Sequence, residues 1–109
     1  MELFIDSADL EQVRQAATLG VIRGCTTNPK LAATSGGGDF RDRVLQILQL
    51  ISGPVSVEVT AEDAEGMLAQ AIEFSRWDER VVVKIPMSAA GLEVTSRLEG
   101  KHDIRVNVT

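Results

Sequence analysis

Short apolar runs alternate with longer amphipathic ones along the 109 residues of this chain. Residues 3–5 read as a strand closed by Asp6 and Ser7; beyond Asp9, Leu10, Val13, Ala16, Ala17 and Leu19 recur at helical spacing until Gly20 stops them. The second strand covers residues 21–27. Pro29 and the polar segment 34–38 then break the chain, with the three glycines at 36–38 reading as a mobile loop. Phe40, Val44, Ile47, Leu48 and Ile51 mark the second helix. A third strand at 55–59 leads into a helix through Met67, Leu68, Ala71, Ile72 and Phe74. A fourth at 81–85, halted by Pro86, leads into Leu92, Val94 and Leu98, and a fifth runs over 104–109.

Five strands and four helices in strict alternation predict parallel βαβ units, because a right-handed crossover helix is the usual link between parallel neighbours. One domain over 1–109 accommodates them. Two architectures accept the count: an open flavodoxin-like sheet, which would be complete, and a (β/α)8 barrel, which averages roughly 250 residues and would be only partly built. Composition narrows the partners. Sixteen acidic against eleven basic residues give a formal charge of −5, and the basic residues are scattered, which excludes the electrostatic footprint of a nucleic-acid or anionic-membrane binder. The single cysteine, Cys25, cannot form an internal disulfide and reads as a small buried hydrophobe. No secretory signal and no apolar stretch near the ~18 residues of a membrane span is found, so a cytoplasmic protein is expected. No metal-ligand spacing exists, and His102 reads as solvated.

Polar residues collect at the ends of the strands. Asp6, Thr26 to Asn28, Glu58, Lys84, and Asn107 with Thr109 all fall late in a strand or just after it, on the face where parallel α/β proteins bind ligands. Lys84 follows three valines in a strand expected to be covered on both faces, where an ammonium is costly and burial would lower its pKa toward that of a carbonyl nucleophile. A lysine whose stem packs while its head reaches water is the competing reading. Asp6 is either a cap for the first helix, a task that Ser7 or Asp9 could take instead, or a general acid/base. Glu58 alternates out of phase with Val57 and Val59, fitting a solvated edge or a second carboxylate that positions water. Thr26, Thr27 and Asn28 either cap the turn at Pro29 or bind substrate hydroxyls.

The segments Leu3-Phe4-Ile5-Asp6-Ser7-Ala8, Gly24-Cys25-Thr26-Thr27-Asn28-Pro29, Val55-Ser56-Val57-Glu58-Val59 with Glu65-Gly66-Met67, Val82-Val83-Lys84-Ile85-Pro86-Met87 and Asn107-Val108-Thr109 together resemble the short-chain transaldolases and their fructose 6-phosphate aldolase relatives. The resemblance covers the whole chain in register. It implies a (β/α)8 barrel that moves a dihydroxyacetone unit from a ketose phosphate to an aldose phosphate in the pentose phosphate pathway, without metal or organic cofactor. On this resemblance Lys84 is the Schiff-base lysine and Asp6 the acid/base at the bond that breaks. Glu58 and Thr109 hold a proton-shuttling water, Asn28 and Asn107 bind the dihydroxyacetone moiety, and Thr27 lines the same wall. In the aldolases a glutamine replaces the glutamate and the Asn-Val-Thr ending is missing, so this chain resembles the transaldolases more.

The chain departs from the family pattern at its end. It stops in the fifth strand, so it is expected to be the N-terminal part of the barrel, lacking the phosphate-binding serine and arginine and the helix through which short transaldolases assemble. Three readings follow: a transaldolase, a lysine-dependent aldolase of the same fold, or a non-catalytic half-barrel that serves assembly. Sugar phosphates are the expected partners, with a homo-oligomer as the expected state.

Overall fold

A computed structural model describes residues 2–34 and 39–109. Its elements are β1 (Leu3–Asp6), α1 (Leu10–Thr18), β2 (Ile22–Thr27), α2 (Pro29–Thr34), α3 (Phe40–Leu50), β3 (Val55–Glu58), α4 (Ala64–Ser75), β4 (Val81–Ile85), α5 (Ala89–Lys101) and β5 (Val106–Val108). The strands lie in the order β1-β2-β3-β4-β5, with β1/β2 and β4/β5 parallel. A flavodoxin-like sheet would reverse direction and run 2-1-3-4-5, whereas a (β/α)8 barrel advances one strand per crossover. The sequential order therefore selects the second architecture, an incomplete (β/α) barrel.

The chain divides into two compact units, the first ending at Ser56 and the second running from Val57 to Thr109. In the first, β1 lies beside β2 with Ile5 opposite Cys25 and Asp6 opposite Thr26. The Cys25 N–H donates to Pro54 at 3.0 Å, tying β2 to the segment that enters β3. Helix α1 starts where Asp9 accepts from the Glu11 and Gln12 N–H groups, and it packs on α3 around the fully buried Val13, Val44 and Ile47.

In the second unit, α4 packs on α5, and both cover β4. Val83, Ile85, Val94 and Leu98 are fully buried, with Met67, Leu68, Ala71 and Phe74 closing the same core. Each buried Val, Leu, Ile, Met or Phe side chain contributes roughly 1.5–3 kcal/mol. Asp63 and Ser88 cap α4 and α5 by accepting from Gly66 and Gly91. At Gly91 a side chain is impossible without movement, because an added Cβ would collide with the Pro86 carbonyl oxygen. That contact seats the chain leaving β4 directly on the first turn of α5.

The sequence pattern predicts four helices, and the structure adds a fifth, α2, where Pro29 reads in the sequence only as a break. Proline suits a first helical position, whose N–H needs no intrahelical partner, and the Asn28 side chain accepts from the Leu31 N–H at 2.8 Å. The glycine loop expected at 36–38 lies outside the described residues. No helix among the described residues is long and apolar enough to cross a membrane.

Candidate functional site

In the first unit, Asp6 ends β1 and Thr26 stands opposite it, so the two side chains share one face of the sheet. The Thr26 hydroxyl donates to Asp6 Oδ1 at 2.8 Å. Asp6 does not cap α1. Asp9 does that, while Ser7 accepts from the Asp9 N–H and donates to Gln12. The Asp6 carboxylate is thus exposed and held from the side by one hydroxyl.

Thr27 stands elsewhere. The two-residue period of a strand puts it on the face of Cys25, where it is fully buried and its Oγ1 has no hydrogen-bond partner among the described residues. The Cys25 thiol on the same face donates to the Ser7 carbonyl at 3.2 Å. Burial pushes this thiol up to about 11, opposed in part by the Ser7 backbone and helped slightly by the negative charge of Asp6. Cys25 is therefore an inert buried hydrophobe, as its sequence context suggests. Asn28 caps α2 through its carbonyl oxygen, which leaves its amide N–H groups to donate elsewhere.

In the second unit, β4 alternates strictly: Val81, Val83 and Ile85 are buried, while Val82 and Lys84 on the opposite face are half-buried. The sealed environment expected on both faces of this strand is only partly present. Lys84 pairs in register with Asn107 of β5, so their side chains project to the same side. The Val59 N–H donates to the Lys84 carbonyl at 3.2 Å, and in a parallel ladder that bond sets Glu58 beside Lys84. Thr109, two residues past Asn107, keeps to this face, with its N–H on Ile85 and its carbonyl accepting from Met87. Lysine, carboxylate, amide and hydroxyl thus converge at the C-terminal ends of three neighbouring strands. The Lys84 and Glu58 side chains make no hydrogen bond or ion pair among the described residues, and both heads can meet a ligand.

One of two neighbouring threonines meets Asp6, and one helical side chain lies outside the sequence reading. The two-residue period from a buried Cys25 puts Thr26 on the face of Asp6, whereas the resemblance gives the substrate wall to Thr27. Gln70 of α4 accepts from the Thr60 and Ala61 N–H groups at 2.9 Å each and donates to the Thr60 hydroxyl at 2.8 Å. Nothing local in the sequence marks a helical glutamine for that task. His102 is exposed, and no group of histidine, cysteine or acidic side chains among the described residues could hold a metal ion.

Residues 3–109 match the family model described as Transaldolase/Fructose-6-phosphate aldolase. Curated relatives include a protein named probable transaldolase from Desulforudis audaxviator, 50% identical over 109 residues, and others of that name from Heliobacterium modesticaldum at 48% and Roseiflexus sp. at 45%. Each match takes in the whole of this chain and 50% of the relative, so the chain spans about half the length of these proteins.

Proposed function

The chain belongs to the transaldolase/fructose-6-phosphate aldolase family, and from that premise we propose that it supplies the Schiff-base half of a transaldolase acting on sugar phosphates in the cytoplasmic pentose phosphate pathway. The Lys84 amine adds to the ketose carbonyl and, with loss of water, gives an imine. Asp6 takes the proton of the hydroxyl beyond the scissile bond. As that carbon–carbon bond breaks, its electron pair moves to the iminium nitrogen, leaving a dihydroxyacetone enamine on the lysine and releasing an aldose phosphate. The enamine carbon then attacks the aldehyde of an acceptor, and hydrolysis frees Lys84.

The remaining roles follow the same chemistry. Glu58 and Thr109 hold the water that carries protons through the carbinolamine and imine steps, while Asn28 and Asn107 bind the hydroxyls of the dihydroxyacetone unit. The hydroxyl we assign beside Asp6 is Thr26. The observation that carries this reading is the register of Lys84 with Asn107 and its bond to the strand bearing Glu58, which gather a nucleophile, a carboxylate and an amide at adjacent strand ends.

Borohydride trapping tests it. In a barrel-complete form of the protein incubated with fructose 6-phosphate, reduction fixes the adduct on Lys84, and Lys84→Met abolishes it. An adduct at Lys30 or Lys101, or one that survives in Lys84→Met, refutes the assignment. Free dihydroxyacetone formed without an acceptor aldose would mark the aldolase reading, and complete absence of an adduct the assembly-module reading.

A further inference from the structure

Glu58 is held by its backbone alone, since its side chain has no partner among the described residues. The three N–H groups that follow it are all committed. Val59 donates to the Lys84 carbonyl, and Thr60 and Ala61 both donate to a single oxygen, Gln70 Oε1. Gln70 Nε2 closes the arrangement by donating to the Thr60 hydroxyl. One turn earlier on the same face of α4, Gly66 admits the loop: an added Cβ there would stand 2.8 Å from Ala61 Cβ and 2.7 Å from Asp63 Oδ1. The loop is thus pressed onto α4 at Gly66 and fastened at Gln70. An amide side chain supplies what is needed, an oxygen with two lone pairs for two backbone donors and an N–H for the hydroxyl.

We propose that Gln70 is a positioning residue for Glu58, fixing the β3–α4 loop so that the carboxylate keeps its place beside Lys84. The inference rests on the proton-shuttling role assigned to Glu58 above. Positioning errors near 1 Å cost rates by up to about 10²-fold, and a loop released from α4 has that freedom. A purely structural glutamine would instead change stability and leave the rate of the folded enzyme alone.

The test uses the barrel-complete protein with Gln70→Leu, which removes all three bonds, Gln70→Asn, which keeps the amide but is one methylene shorter, and Gln70→Glu, which keeps the accepting oxygens. Expected in both Gln70→Leu and Gln70→Asn is a fall of roughly 10-fold or more in imine formation on Lys84 and in kcat. KM should stay within about 2-fold, with faster hydrogen exchange at the Thr60 and Ala61 amides. Gln70→Glu restores rates to within a few-fold. In a Glu58→Gln background Gln70→Leu costs little more, because one residue acts through the other. Parental rates in Gln70→Leu, a Gln70→Glu variant as slow as Gln70→Leu, or additive losses in the double variant overturn the proposal while the Lys84 adduct still forms. A parent that forms no Lys84 adduct overturns the transaldolase reading and this inference together.

Discussion

The buried Cys25 thiol makes the fold sensitive to alkali in a calculable way. In the folded chain its pKa rises from the ordinary 9.0 to about 11, chiefly because burial disfavours the thiolate. A group whose folded pKa is raised contributes stability below its unfolded pKa and loses it as pH climbs through the folded value, since the unfolded chain gives up the proton first. The window therefore opens near pH 9 and closes near pH 11. At about 1.4 kcal/mol per pH unit, the whole effect is at most about 3 kcal/mol. Ionisation also breaks the bond from the thiol to the Ser7 carbonyl, 3.2 Å long, on the segment that follows Asp6. Urea denaturation between pH 7 and pH 11, parent against Cys25→Ala, isolates the contribution: the variant is the less stable at pH 7, and the gap narrows as pH rises past 9. The chain has no tyrosine, so thiolate absorbance can be followed without phenolate beneath it, and it should stay absent from the folded protein well past pH 9. A thiol that ionises near pH 9 in the folded state, or a gap between parent and variant that does not change with pH, would refute the reasoning.

Three further outcomes are expected. Asp6→Asn lowers carbon–carbon cleavage by ~10²–10⁴-fold while the trapped Lys84 adduct still forms, as measured by turnover beside borohydride labelling; turnover within a few-fold of the parent removes Asp6 from the chemistry. Thr27→Val keeps shape and deletes an unpaired buried hydroxyl, so urea denaturation should show unchanged or slightly raised stability, with activity retained, whereas Thr26→Val takes a donor from Asp6 and lowers turnover; the reverse pattern would restore Thr27 to the substrate wall. Leu3 and Phe4, 40% and 43% exposed on β1, should drive self-association of the 109-residue chain, so sedimentation velocity is expected to show species larger than a monomer that shrink when Leu3→Lys is introduced.

The strands and the longer helices were legible because their signals are local. Val81, Val82 and Val83 form a compact apolar run that Pro86 halts, and Val44, Ile47 and Leu48 recur at the period of a helix. Architecture was not legible from periodicity, which permitted both an open sheet and a barrel, because strand order is a matter of which crossover goes where. Helix α2 was missed for a different reason: Pro29 reads as a stop unless the residue before it is recognised as a cap. The strand-end candidates stand out because their polarity conflicts with their neighbours. Sequence reasoning failed at Gln70, whose partners lie nine and ten residues away, and whose glutamine would be unremarkable on any helix surface.

The candidate residues sit at strand ends, and the backbone that follows each strand is held by contacts from a helix or its cap. After Asp6, Arg43 of α3 donates to the Ala8 carbonyl at 2.7 Å, and the Ser7 hydroxyl links Asp9 with Gln12. After Glu58, Gln70 of α4 gathers Thr60 and Ala61. After Lys84, the Pro86 carbonyl sits against Gly91 and accepts from the Ser88 N–H at 2.9 Å, while the Ser88 hydroxyl caps α5. Each connection is fastened by a residue of its own unit, so the exit of each strand is fixed by neighbours that lie outside the strand ends. Loops tolerate sequence change because their backbone is solvated, and a loop that must hold a carboxylate beside a lysine cannot rely on solvent. Arg43 and Gln70 take the place of water at two of those points and Gly91 lets the chain pack closely at the third, while the Asp6 carboxylate accepts from one hydroxyl and the Glu58 and Lys84 side chains have no partner among the described residues.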